Sequence, residues 1–433
     1  MAITTAIGSF TILTTDSGAK AITGLTSLGG ATPQLVFIYH RQQTGTGSST
    51  GSRYFGVGGF TSGQQFAITQ FFEDNVAASN FLTRLRDTSC IFEIDSAGAL
   101  TGEAVFSSFG SNAFTINIVN AFAADCDVEF VAIAGLTNVF IDLYQLPTAL
   151  GAYQRTAPNF QPDAILAYGL GMASLDVATA NARLSMGMLD ASGAQFAIGS
   201  RLQDNATSNY LGGQAATDRL ITFCTNDGTE NPDAIKADDA NWPDPTGYTL
   251  NRVVGTAANY VVMVCIKGGS PKVVNTTTRT SAGNFDVATA GRDPKVAYLL
   301  CRPDTVTSRT TPFENGEAVL GWGRSSTERF GIWQHDNNQE PLGATETYSR
   351  VSRTRILEHY DRTAADTLAL AGDIDLVSMG AEKLTLNQND ADTQLSLLGV
   401  FVLGDAVAGG GIADTFYGRA SRGVAGGVAR GVG

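Results

Sequence analysis

The chain has 433 residues, with 28 Lys+Arg against 41 Asp+Glu and a formal net charge of −13. With charged residues at only 16% it offers no large cationic surface to phosphate, which argues against nucleic acid and anionic membrane surfaces as partners. Hydrophobic residues at 43% are ample for a packed core, so wholesale disorder is excluded.

Met1 to Phe10 has neither a positive n-region nor a long apolar run, so no signal peptide is expected. No run of about 18 apolar residues occurs, which removes a transmembrane helix. Cys90, Cys126, Cys224, Cys265 and Cys301 are odd in number and contain no Cys-x-x-Cys, so they read as reduced core thiols made in a cytoplasm.

Taken in chain order, the elements repeat. The first unit opens with a leader at Gly8 to Leu13 and Ala21 to Leu25. It continues through the apolar run Pro33 to Tyr39, a Gly-rich strand, Phe66-Ala67-Ile68, the pair Asp74-Asn75, and the short strand Cys90 to Ile94. It closes with Phe114-Thr115-Ile116-Asn117 and the apolar strand Val128 to Gly135. The second unit repeats this order with Ile141 to Leu146, Pro162 to Tyr168, Phe196-Ala197-Ile198, Asp204-Asn205, Leu220 to Cys224, Tyr248 to Asn251 and Tyr260 to Gly268. The third follows with Ala282 to Val287, Pro294 to Leu300, Phe330-Gly331-Ile332, Asp336-Asn337, Ile356 to His359, Leu384 to Asn387 and Leu395 to Gly404. The opening prolines stand 129 and 132 residues apart, so each unit has the length of a domain rather than of a solenoid repeat.

The segments are short, rich in Val, Ile, Phe, Tyr and Thr, and separated by Gly, Asn, Asp and Ser, which predicts strands. Phe114 to Ile118 alternates apolar and polar, as a half-buried strand does. Tyr260 to Ile266 is continuously apolar and fits a strand covered on both faces. Helical patterns are scarce and short, at Asn75 to Leu85 and Ala173 to Ala182. The expected fold is all-β: three tandem β-sandwich (jelly-roll-like) domains of about 110–130 residues, at residues 1–140, 141–270 and 271–404. A Gly/Arg-rich C-terminal arm follows at 405–433. In that arm Phe416, Tyr417, Arg419, Arg422 and Arg430 are candidate contacts to a neighbouring acidic subunit.

Residues that would carry chemistry are few. His40, His335 and His359 do not stand at metal-ligand spacings, and His-Glu-x-x-His and Gly-x-Ser-x-Gly are absent. Gly56-Val57-Gly58-Gly59 and Gly169-Leu170-Gly171 lack the rest of a nucleotide fingerprint and read as bulges or turns. The recurrent Asp-Asn pairs read as Asx turns. Asn226-Asp227-Gly228 and Asp238-Asp239 lack the alternating oxygens of a calcium loop. No catalytic residue, metal ligand or cofactor is therefore assigned. Trp242 and Trp333 are candidate glycan-contact aromatics, with a buried core tryptophan the commoner reading of each.

The order of a Gly-x-Phe leader, a Pro-led apolar run, Phe-Ala-Ile before Asp-Asn, a (Phe/Tyr)-Thr-(Ile/Leu)-Asn strand and a closing apolar strand ending in Gly resembles a β-rich module of tailed-bacteriophage structural proteins. The match runs over residues 8–404 on Pro33 to Phe37, Phe66 to Ile68, Phe114 to Asn117, Phe130 to Gly135 and their counterparts, with Leu384 departing from the aromatic in the third copy. The resemblance implies a non-enzymatic virion component (capsid decoration, tail or fibre) made in the host cytoplasm and assembled in many copies. Its partners would be itself and other virion proteins. The alternative is a carbohydrate- or receptor-binding module facing a host surface glycan. A glycan-cleaving enzyme is a third and weaker expectation, because paired carboxylates are a three-dimensional property.

Overall fold

The computed structural model describes residues 2–41, 47–50, 53–73, 80–181, 183–202, 211–224, 230–237, 242–255, 257–302, 315–337, 347–362, 368–392 and 396–407. Among them there is no α-helix, and the chain is built of antiparallel strands. The first unit contains β1 (Thr4–Ile12), β2 (Gly18–Ile22), β3 (Leu35–Arg41), β4 (Gly47–Thr50), β5 (Arg53–Phe60), β6 (Gln65–Phe72), β7 (Phe81–Arg86), β8 (Ile91–Ile94), β9 (Leu100–Gly110), β10 (Ala113–Asn120) and β11 (Cys126–Ala134). The second contains β12 (Asn138–Gln145), β13 (Gly151–Arg155), β14 (Ala164–Leu170), β15 (Thr179–Ala180), β16 (Arg183–Asp190), β17 (Gln195–Leu202), β18 (Leu211–Ala216), β19 (Ile221–Cys224), β20 (Glu230–Ala237), β21 (Tyr248–Val254) and β22 (Tyr260–Lys267). The third contains β23 (Lys272–Thr277), β24 (Gly283–Ala288), β25 (Arg292–Arg302), β26 (Asn315–Gly323), β27 (Arg329–Asn337), β28 (Thr347–Ser352), β29 (Leu357–Arg362), β30 (Leu368–Gly380), β31 (Lys383–Asp390) and β32 (Leu397–Ala406).

Each unit is a large sheet packed on a four-stranded one, and the strand order is the same three times. The large sheets run β1-β11-β3-β5-β6-β7, β12-β22-β14-β16-β17-β18 and β23-β32-β25-β26-β27-β28; the small ones run β2-β10-β9-β8, β13-β21-β20-β19 and β24-β31-β30-β29. The first strand of each unit pairs with the last, and the second with the last but one, so each unit's ends are wound together in jelly-roll fashion. The rest are simple meanders.

The register repeats as closely as the order. Gly58, Gly187 and Gly321 pair with Ile38, Ala167 and Leu299. A Cβ at these glycines would lie 2.1, 1.8 and 1.6 Å from the carbonyl oxygens of Cys90, Leu220 and Ile356, where the small sheet begins. Glycine is required there because the two layers touch backbone to backbone. These glycines sit in uninterrupted ladders, so the bulges or turns expected around Gly56 to Gly59 are replaced by close packing.

Alternation along the large-sheet strands feeds two cores. In β3, Leu35, Phe37 and Tyr39 face a central core, while Val36 and Ile38 face the small sheet. In β22, Val262, Val264 and Ile266 face the central core and Val261, Met263 and Cys265 face their own sandwich. This accounts for the unbroken apolar run at Tyr260 to Ile266. The small sheets form the outer layer: Phe114, Ile116 and Ile118 are buried, and Thr115 and Asn117 between them are partly exposed.

The three units are not beads on a string. The central core draws residues from all of them, including Tyr39, Tyr168 and Tyr298. Their contacts are also cyclic. The loop after β14 sends β15 to pair with β7 of the first unit, and β4 of the first unit pairs with β28 of the third. The turn before β6 accepts a hydrogen bond from the next unit's first strand (Ile141 N–H to Gln64, 2.9 Å), and the turn before β17 does the same (Val273 N–H to Asp190, 2.8 Å). The ring closes where Ser27 donates to Glu328 at 2.6 Å and the Ile3 N–H donates to Asp405 at 3.1 Å.

Among the described residues, neither of the two short helices expected from sequence forms. Phe81 to Leu85 lies in β7, and the stretch from Ala173 to Asn181 is a loop carrying β15. Each is held by the neighbouring sheet edge, and tertiary pairing overrides local preference. Asp74-Asn75, Asp204-Asn205, Asn226 to Gly228, Asp238-Asp239 and the arm residues Phe416, Tyr417, Arg419, Arg422 and Arg430 lie outside the described residues.

Candidate functional site

Among the described residues, polar clusters are buried in the sandwiches and at their junctions. In the second unit Asp142 on β12 accepts two hydrogen bonds from the Arg155 guanidinium (2.7 and 3.0 Å) and one from the Tyr248 hydroxyl (2.6 Å). Arg155 also lies 4.0 Å from the centre of the Tyr144 ring. Every charge there has a partner, which marks a structural cluster. Between the third and first units, Arg353 reaches the buried Glu129 at 2.6 Å and Asp127 at 3.6 Å. Burial pushes the Glu129 carboxyl up, and the Arg353 hydrogen bond opposes it.

A cluster in the first unit is different. His40 near the end of β3, Glu93 on β8 and Cys126 at the start of β11 converge inside the first sandwich, with one donor atom from each within 4.8 Å of the others. His40 and Glu93 are 2% and 0% exposed, and Cys126 is fully buried. The Cys126 sulfur stands 3.9 Å from His40 Nδ1. His40 Nε2 and both Glu93 carboxylate oxygens have no hydrogen-bond partner. Burial pushes His40 down to about 3 and Glu93 up to about 8, the latter opposed by the neighbouring Cys126 thiol. It also pushes the Cys126 thiol up. Without a ligand all three are therefore neutral at neutral pH. Gly56 makes room for the imidazole, since a Cβ there would lie 1.8 Å from Nε2.

Register identifies the equivalent positions in the other units. Counting from the paired glycines, His40, Glu93 and Cys126 correspond to Gly169, Phe223 and Asn259, and to Cys301, His359 and Ser396. In the second unit the Phe223 ring lies against Gly169, 2.9 Å from where its Cβ would be. In the third unit His359 faces Asp392 at 3.5 Å, and Asp392 is held by Thr278 (2.6 Å) and Ser396 (2.7 Å). The same niche is filled with carbon once, fully hydrogen-bonded once, and left with unsatisfied donor atoms in the first unit.

The sequence assigned no metal ligand, and this convergence was beyond its reach: the three donors stand on separate strands with no local spacing to betray them. The candidate glycan aromatics are placed otherwise than a sugar platform requires. Trp333 is buried inside the third sandwich, 5.1 Å from the Tyr360 ring, and offers no open face. Trp242 is partly buried against the second sandwich core, and its indole N–H donates to the Asp190 carbonyl at 2.9 Å. His335 lies on β27.

Comparison of the chain with protein-family models, with curated proteins and with solved structures returned no match.

Proposed function

We propose that the protein is a non-enzymatic structural component of a tailed-phage virion, assembling in multiple copies as a decoration, tail or fibre subunit. The observation that carries this reading is the cyclic closure of three like sandwiches around one core. A single chain here achieves what three subunits of a trimer usually achieve between them, with strands β15 and β4 added across unit boundaries to cap sheet edges. Such a body shares one core among its units and presents three outward four-stranded sheets of one topology. It suits repeated lateral contact within a lattice rather than opening and closing around a substrate. The order of motifs shared with phage structural modules supports the same reading.

The carbohydrate-binding alternative loses support from the burial of Trp333 and the engaged indole of Trp242. Light scattering coupled to size-exclusion chromatography tests the proposal on the full chain and on a chain ending at residue 407. Concentration-dependent higher oligomers are expected. A monodisperse monomer for both, together with absence from purified particles by mass spectrometry, overturns it.

A further inference from the structure

We propose that His40, Glu93 and Cys126 form a binding site for one divalent transition-metal ion of the zinc class, which ties the large and small sheets of the first unit together. The donor set is one imidazole nitrogen, one carboxylate oxygen and one sulfur, a combination that suits zinc and excludes the hard all-oxygen preference of calcium or magnesium.

Distance supports the assignment. Zinc bonds of about 2.0–2.3 Å in tetrahedral geometry place neighbouring ligand atoms roughly 3.3–3.7 Å apart. The sulfur-to-nitrogen separation of 3.9 Å is within a small side-chain adjustment of that span. The ligands come from β3 and β11 on one sheet and β8 on the other, so a bound ion bridges the sandwich.

Charge supports it as well. A divalent ion with one thiolate, one carboxylate and a neutral imidazole sums to zero, the condition under which ions are tolerated in a dry interior. Two protons leave when the ion enters, one from the thiol and one from the carboxyl.

Polar satisfaction supplies the third argument. Burying unpartnered polar atoms costs about 1–3 kcal/mol each, and both Glu93 carboxylate oxygens are such atoms. The equivalent positions in the other units avoid that cost, with Phe223 in one and with His359, Asp392 and Ser396 in the other. In the first unit the niche instead holds three donor atoms that one ion can bridge. His40 also belongs to the wall of a small crevice between the first and third units, with Tyr54, Asp127 and Arg350.

The test uses the full chain refolded with chelator and then with Co2+ or Zn2+, because the donors are buried. One equivalent of cobalt is expected, with a thiolate-to-cobalt charge-transfer band. Glu93→Gln should weaken uptake at least tenfold, and Cys126→Ala should abolish the band. Cys301→Ala, at a thiol outside the cluster, should leave both unchanged. Should the cluster variants not fold, X-ray absorption of the zinc-loaded wild type decides: one sulfur with nitrogen or oxygen neighbours supports the site. A shell lacking sulfur overturns the proposal, as does uptake of no metal by the wild type or uptake indifferent to both cluster substitutions.

Discussion

The indole N–H of Trp322 donates to the Tyr39 hydroxyl at 2.9 Å, joining the third unit to the first inside the shared core. The same hydroxyl lies 3.3 Å from that of Tyr168 in the second unit, and Trp322 stacks on Phe37 and Tyr298 with centroids 5.4 and 4.4 Å away. Burial pushes the Tyr39 phenol up to about 12, so it remains a neutral donor and acceptor. Register sets Trp322 where the first unit has Gly59 and the second Met188. One large ring from one unit thus fills space that three equal residues could not.

Trp322→Ala should therefore destabilise the whole protein by about 3–5 kcal/mol, the range for a large aromatic removed from a packed core. Calorimetry should show one cooperative transition moving down in temperature. A shift confined to a third-unit transition, with the other two unchanged, would contradict a shared core.

The backbone-to-backbone contacts make a sharper forecast. Gly187→Ala sets a methyl 1.8 Å from the Leu220 carbonyl oxygen, an atom with no freedom to move aside. Loss of about 3 kcal/mol or more is expected, seen as a lower urea midpoint or as insoluble expression. Gly63→Ala, which meets nothing within 4 Å, should stay within about 0.5 kcal/mol of the parent.

Arg353 holds two buried carboxylates across the unit boundary, with Asp127 and Glu129 side chains each 4% exposed. Arg353→Met should cost about 2–3 kcal/mol, below the value for a wholly buried pair because the guanidinium is about one-third exposed to solvent. Adding Glu129→Gln should return part of the loss, since one uncompensated charge is removed. A double-mutant cycle by chemical denaturation measures this coupling.

The metal-free first unit should respond to pH from both sides. Glu93 rises from 4.5 to about 8 on folding. The folded chain thus keeps a proton that the unfolded chain releases, and stability falls as pH rises. That contribution is complete below the unfolded value and lost through the folded one. His40 falls from 6.5 to about 3, so its contribution is complete above 6.5 and lost as pH drops toward 3. Denaturation of chelator-treated protein across this range should show the alkaline decline, at no more than about 1.4 kcal/mol per pH unit. Glu93→Gln should flatten it.

The strands were legible in the sequence because two-sided and one-sided burial leave different patterns. Tyr260 to Ile266 reads as continuous and Phe114 to Ile118 as alternating, and each lies in the layer that its pattern requires. The triple order of motifs was legible for the same reason: Phe66, Phe196 and Phe330 occupy one register position. What stayed hidden depends on closure. Nothing local says that Tyr39 meets Trp322, or that β15 leaves its own unit to pair with β7. The cluster at His40 was hidden likewise, and Trp333 could be read as a core ring or as a sugar platform because a single ring carries no period.

Each unit's first strand lies beside its own last strand, and the Ile3 amide meets the Asp405 carboxylate. The order in which the three units follow one another is thus a matter of stitching rather than of fit. A circular permutant opened between Lys267 and Lys272 and joined from the neighbourhood of Asp405 to that of Ile3 would keep all of the β-ladders described above, and the polypeptide could begin at its present third unit and still fold.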